Sequence, residues 1–499
     1  MEKIFLSIDI GTTGCKAILF NKEGQLLKKT YREYQSIYLS ARWIDHDPST
    51  WLQAAQKTVM EIISTGEYPQ EQLAAISITS QRATFISVDK NGQALENAIL
   101  WQDKRAITES NEIIEKFGQD DIYDRTGLRV DPYFTLPKLI WLKKNKPEIY
   151  QKTYCFLMVQ DFIIYHLTGK FATDWTQASR TMFFNIENFS WDETIIEKFD
   201  IDYHKIPPAL KPGTIVGKTN KLAKKHFGLI EGIPVIVAGG DQQCAAVGLG
   251  VVEEGLIEVN TGSGSFVLAN SSRFVKDKKK RILCSASAIP GSWVLEAGIF
   301  TTGGIYRWFR NNFGKEELKI EQQTGQDAYQ ILDLEAEKEP PGANGLLLIP
   351  HFAASAAPYW NPEARGVLFG LTLSHSKASV ARAILEGISF EVQKNILLIE
   401  KNTAEINEVR ISGGASNSNI FNQIQADIYG KEVVKTICNE ASSLGAAILA
   451  SVAVNTYPDL NFAVKKMVKI DQESRKKPNI NNTKKYQELF ELHNAIYYH

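Results

Sequence analysis

The chain has 499 residues, a hydrophobic fraction of 44% and a formal net charge of −1. That length and mixed composition suit about two to four globular domains, each able to bury a core. The near-neutral balance excludes charge-driven binding to nucleic acid or to a membrane surface. Five scattered cysteines (Cys15, Cys155, Cys244, Cys284, Cys438) show no CxxC or Cys/His spacing. A reducing, cytoplasmic setting is therefore expected. No stretch is long and apolar enough to span a bilayer. The opening MEKIFLSIDIGTTG lacks a signal-peptide pattern, because Asp9 interrupts a short apolar run.

Lys3–Ile8 predicts a strand, Gly11-Thr12-Thr13-Gly14 a turn, and Cys15–Phe20 a second strand. A third follows near Leu26–Tyr31. The turn offers backbone N–H groups and hydroxyls to an anion, with Lys16 adding positive charge nearby. Asp9 stands two residues before it and can hold a phosphate-bound Mg²⁺. This is not a Walker A loop, since GxxxxGK[ST] is absent.

Asp47-Pro48-Ser49-Thr50 opens a helix to about Ile63, and Gln72–Thr79 reads as a strand. Gln81 and Arg82 follow at its end, where open sheets place ligand contacts. A hairpin of Phe85–Val88 and Ala98–Trp101 comes next, ending on Trp101, Gln102 and Asp103. For Trp101 the alternative is core packing, and for Arg82 a surface ion pair. Tyr133 sits at the start of a helical stretch that includes Lys138–Lys144.

Val235–Ala238 is a short apolar run, as in a buried strand, stopped by Gly239 and Gly240. Asp241, Gln242 and Gln243 follow at a helix start. A carboxylate there can accept a proton from a substrate hydroxyl. The alternative is an Asp that only caps its helix. Leu256–Asn260, Thr261-Gly262-Ser263-Gly264-Ser265 and Phe266–Ala269 repeat the form of the first hairpin. Two such turns facing each other would grip a nucleoside triphosphate from both sides. Gly303-Gly304 precedes an aromatic helix start. Asp327–Pro341 reads as charged, helical and peripheral. Ser379–Glu400 is a long helix with a core stripe at i+4 spacing. Glu408–Ser412 is a strand ending in Gly413-Gly414-Ala415-Ser416-Asn417. That pattern suits a nucleoside, with Ser416 or Asn417 as a helix cap the alternative. The tail from about Gln472 is basic, then helical.

Together these stretches resemble the FGGY carbohydrate kinases, in the superfamily of actin and the heat-shock chaperone ATPases. Asp9-Ile10-Gly11-Thr12-Thr13 matches the family's first phosphate motif. Tyr133 through Asn145 fits the first family signature. Gly366 through Glu386 fits the second except at Ser379, where His, an acidic residue or an amide is usual. Gly413–Asn417 resembles the adenosine motif.

The resemblance implies an α/β fold of two RNase H-like (actin-like ATPase) domains with the site in the cleft between them. The expected boundaries are 1–250 for sugar, 251–470 for nucleotide, and a helical tail at 471–499. It implies ATP and Mg²⁺ as cofactors, with Asp241 as catalytic base and Asp9 at the metal. Gly11, Thr12, Thr13, Lys16, Thr261, Gly262, Gly304, Gly413, Gly414 and Asn417 would meet the nucleotide. Gln81-Arg82, Trp101, Asp131-Pro132-Tyr133, Asp241-Gln242 and Ala357-Pro358-Tyr359-Trp360 are similar to glycerol kinases. Gln81, Arg82, Trp101, Tyr133, Asp241 and Gln242 would then touch a small sugar or polyol. Glycerol kinases carry Glu after the pocket Arg, where this chain has Ala83. Losing that acceptor favours a longer substrate, a pentulose such as xylulose, over glycerol. Glycerol kinase or an autoinducer-2-type kinase is the alternative within the family, and a non-metabolic actin-like or chaperone-like ATPase the alternative from another class. A homodimer is compatible with the resemblance.

Overall fold

The computed structural model describes residues 3–497. Two large mixed sheets organise it. The first runs in the order Thr214–Lys218, Pro234–Gly240, Leu73–Ser80, Ile4–Ile10, Gly14–Asn21, Leu26–Glu33. The last three form an antiparallel meander, while Ile4–Ile10, Leu73–Ser80 and Pro234–Gly240 run parallel. The second sheet repeats this. Trp293–Ile299, Ser265–Ser271 and Leu256–Thr261 are antiparallel, and Leu256–Thr261, Glu408–Ser412 and Glu432–Thr436 are parallel. Leu283–Ala286 and Ile470–Lys476 close its two edges.

Every residue of Ile4–Ile10 is buried, because both faces of its sheet are covered. Ile4, Leu6, Ile8 and Ile10 face one core with Trp51 and Ile76. Phe5, Ile18 and Ile236 face another, filled by Leu444, Ala447 and Ile448. Those last residues belong to the helix Ala441–Ala453, which follows a strand of the second sheet yet packs on the first. It crosses the helix Asp241–Gly248 in backbone contact. A Cβ on Gly248 would overlap the Ala441 carbonyl, and one on Gly445 the Cys244 carbonyl. The small-residue runs at both sites exist for this approach.

The second sheet is backed by the helix Lys377–Asn402, buried on more than its Val380–Ile396 stripe. Ser376 and Ser379 cap it reciprocally, each hydroxyl accepting from the other's backbone N–H. Ser379 thus does at that position what the more usual amide or acid would do. The tail is not separate. Residues 470–476 form the edge strand, and the helix Ile480–Ile496 docks by buried polar bonds. Tyr486 donates to Glu386 at 2.6 Å and accepts from Arg382 at 2.9 Å, while His493 donates to the Leu348 carbonyl at 2.9 Å. A smaller five-stranded sheet containing Phe85–Val88, Ala98–Ile99 and Cys155–Met158, with the helix Thr135–Asn145, extends the first lobe over the cleft.

Candidate active site

The first turn lies where Ile4–Ile10 ends. The Gly11 N–H donates to Gly14 O at 3.0 Å, which curls the loop. The Gly11 carbonyl is held from outside by the Tyr34 hydroxyl at 2.7 Å and Gln81 Nε2 at 3.3 Å. Asp9 is buried with one carboxyl oxygen free of any hydrogen bond among the described residues. Burial pushes its pKa up to about 7, against the pull of Lys16. A hard cation would satisfy that oxygen and reverse the shift, so Asp9 fits Mg²⁺. Among the described residues no three metal-type side chains converge. Phosphate and water would supply the other ligands.

On the substrate side, Arg82 is buried rather than at the surface. It grips Glu296 through two bonds, 2.6 and 3.0 Å, donates to Gln243 at 3.3 Å, and places its Nε 3.5 Å from Asp241. Arg180 approaches Glu296 to 3.5 Å and donates to Ser285 at 3.1 Å. Burial works against the Glu296 carboxylate, but Arg180 and Arg82 hold it at about 2. Arg82 and Arg180 come from the first lobe, Glu296 and Ser285 from the second sheet. The cleft floor is therefore a buried ion network joining the two lobes.

Asp241 begins its helix but does not cap it, since Gly240 is the cap residue and makes no side-chain bond. Its carboxylate accepts instead from the Gln242 N–H at 2.8 Å. Burial raises its pKa, while Arg82 and that N–H oppose the rise. A carboxylate whose pKa is raised is a better proton acceptor. Trp101 is only half-buried and donates its indole N–H to Thr12 Oγ1 at 3.1 Å. Its ring sits 5.3 Å from that of Tyr133, over which Arg180 lies at 5.6 Å. The structure thus brings Gln81, Arg82, Trp101, Tyr133, Asp241 and the first turn together. Gln81 Oε1 and Gln242 Oε1 lack partners among the described residues, leaving acceptors for hydroxyls.

The second turn closes through Gly262 N–H to Gly264 O at 2.9 Å. Thr261, Ser265 and Thr302 form a hydroxyl chain at 2.9 and 3.0 Å beneath it. Beside it opens a cavity of about 450 Å³ lined by Thr261, Gly262, Gly303, Gly414, Asn417 and the aromatic pair Tyr306 and Tyr329. Those two rings stack at 5.7 Å, and Arg310 lies over Tyr329. Gly413 has φ +83° and lies against Thr261, so only glycine fits there. The cap of the following helix is Ser418, not Ser416 or Asn417, which leaves Asn417 facing the cavity.

Four placements differ from the sequence reading. Lys16 is engaged by Glu440 at 2.8 Å, across the lobes. The cavity is lined by Gly303, while Gly304 donates its N–H to Ser263 O behind it. The helix Ala328–Lys338 is not peripheral, because Tyr329, Gln330 and Asp333 line the cavity. Arg180, Glu296 and Glu258 were missed at the cleft floor. Glu258 is buried with both oxygens unpartnered among the described residues, and burial beside Glu296 raises its pKa well above normal. The signal was available: each of these glutamates interrupts an otherwise apolar strand, LIEVNT and WVLEAGI.

Two sheets of one topology around a polar cleft define the actin-like ATPase fold. The sequence model for the N-terminal domain of the FGGY family of carbohydrate kinases matches residues 4–248, and that for the C-terminal domain residues 258–454. A glycerol kinase of Thermococcus kodakarensis is 34% identical over 465 residues, 92% of this chain and 90% of that one. A gluconate kinase from Lactobacillus acidophilus superposes with a TM-score of 0.90 at 25% identity, over 99% of this chain and 98% of that one. A xylulose kinase from the same organism superposes at 0.91 with 24% identity, over 99% and 97%. The chain belongs to the FGGY family of carbohydrate kinases. It is a phosphotransferase with an alcohol group as acceptor.

Proposed function

We propose that the chain transfers the γ-phosphoryl group of ATP to a primary hydroxyl of glycerol or of a polyol with a glycerol-like end. The observation that carries this is Asp241, a carboxylate with a raised pKa set beside Arg82 at the end of a central strand. The relative named glycerol kinase and the matching Arg82, Trp101, Tyr133, Asp241 and Gln242 support the same substrate class.

Asp241 accepts the hydroxyl proton as the substrate oxygen attacks in line. Arg82, Trp101, Tyr133, Gln81 and Gln242 orient the polyol. The Gly11–Thr13 and Thr261–Gly262 turns donate N–H and hydroxyl groups to the phosphates. Gly413, Gly414, Asn417, Tyr306 and Tyr329 hold the nucleoside. Mg²⁺, when bound at Asp9, neutralises phosphate charge. In this reading residues 1–250 carry the acceptor and 251–470 the nucleotide.

A pentulose, such as xylulose, is the second reading. It is favoured by Ala83, which is buried and brings no carboxylate to the pocket. The relatives named glycerol kinase weigh against placing it first. ADP release with glycerol, erythritol, D-xylulose, L- and D-ribulose, L-fuculose and L-rhamnulose decides between them. Saturation by glycerol supports the first reading and saturation by a ketose the second. Stimulation by none overturns both and leaves a nucleotide-driven binding protein.

A further inference from the structure

Lys138 carries an amino group into the first lobe's interior, where the residue is 0% exposed. It lies in the helix Thr135–Asn145, which begins two residues after Tyr133. Its ammonium donates to the Ala83 carbonyl at 2.8 Å and the Leu100 carbonyl at 3.1 Å. Each carbonyl is one residue from a side chain on the acceptor side of the cleft. Ala83 follows Arg82, and Leu100 precedes Trp101.

The two corners differ in what they need. Ala83 has φ +60°, a left-handed conformation that an L-residue keeps only where its surroundings impose it. The Leu100–Trp101 corner is tied to the same segment by the Trp101 N–H, which donates to Thr84 Oγ1 at 3.0 Å. Burying an ammonium is costly, and an apolar chain of similar length would fill the space without that cost. Burial pushes its pKa down to about 7, helped by Arg105 and resisted by Asp103 and Asp131.

We propose that Lys138 is a positioning residue for the acceptor substrate. It pins the Arg82–Ala83 corner to the Leu100–Trp101 corner and so sets the spacing of guanidinium and indole that a polyol meets. This rests on the kinase reading for its kinetic consequence, but not for the pinning itself.

Two measurements on the full chain test it. In Lys138→Met, amide exchange at residues 82–84 and 100–103 should quicken by about tenfold or more, while Ile4–Ile10 keeps its protection. With glycerol or D-xylulose as acceptor, the KM for acceptor should rise about tenfold and that for ATP by less than about twofold. Lys138→Gln, which keeps a donor, should fall between. Unchanged exchange at the two corners overturns the proposal whether or not either polyol is a substrate. So does an equal rise in both KM values. Failure of both variants to fold also overturns it, because Lys138 would then support the whole lobe and not one face of the cleft. If neither polyol is turned over by the unaltered chain while the exchange result holds, the kinase reading fails and the pinning stands.

Discussion

The two glycine turns are built on one plan and furnished differently. Each joins antiparallel strands, and each is curled by a glycine N–H bonded to a glycine carbonyl, at 3.0 and 2.9 Å. Two residues before the first stands Asp9, a buried carboxyl group. Two before the second stands Asn260. Beneath the second run three hydroxyls, Thr261, Ser265 and Thr302. The repeated backbone supplies the same anion cradle twice. In the proposed reading the side chains divide the labour, with a carboxylate for a cation on one side and hydroxyls for phosphate on the other. Asp241 belongs to neither turn, and in the proposed reading it faces the acceptor.

That division can be broken one part at a time. The largest effect is expected at Asp241. Asp241→Asn should lower polyol-dependent turnover on the order of 10³-fold while ADP binding by calorimetry is kept. Comparable loss of both would mean the residue supports the cleft and not the chemistry.

Asp9→Asn should come next, raising the Mg²⁺ concentration needed for half-maximal rate by about a hundredfold. With a pKa near 7 in the metal-free site, Asp9 is protonated below that pH, and Mg²⁺ must displace the proton. The apparent Mg²⁺ affinity should therefore fall up to about tenfold per pH unit below 7. Asp9→Asn should flatten that slope.

Thr261→Val removes a donor from the hydroxyl chain and should cost about 1–3 kcal/mol of nucleotide binding, read as the KM for ATP. An equal effect on Mg²⁺ demand would erase the distinction between the turns.

The smallest effect lies away from both. Burial lowers the His493 pKa from 6.5 to about 4, so the unfolded chain binds its proton first. This contribution to stability is complete above pH 6.5 and drains away toward pH 4, by roughly 1 kcal/mol per unit. Thermal midpoints should fall between pH 7 and 5, and fall less in His493→Gln, which can still donate to the Leu348 carbonyl.

Much of this was legible in the sequence because it is local. A strand, a glycine turn and a carboxylate two residues away are neighbours in the chain. Asp9, Gly11, Thr12, Asp241 and Gly413 were read as candidates that way. Arg82 was legible as polar at a strand end, but its partner Glu296 lies 214 residues further on. No period or turn rule reaches that far. Tyr329 and Asp333 sit on a charged helix whose outer face masks the inner one. For Lys138 the sequence offered only a place in a helical stretch, since what buries it is a small sheet assembled from strands on both sides of it in the chain.

The crossing of Asp241–Gly248 with Ala441–Ala453 bears on movement. Where helices pack through interleaved side chains, sliding one past the other means unpicking them. At Gly248 and Gly445 there is nothing to unpick, because peptide backbone rests on peptide backbone. At this crossing the two helices meet backbone to backbone, flanked by small and aliphatic side chains. Two polar ties also join the lobes, Arg82 with Glu296 at the buried cleft floor and Lys16 with Glu440. The two lobes are thus joined in two ways, by bare backbone at one helix crossing and by charged side chains elsewhere.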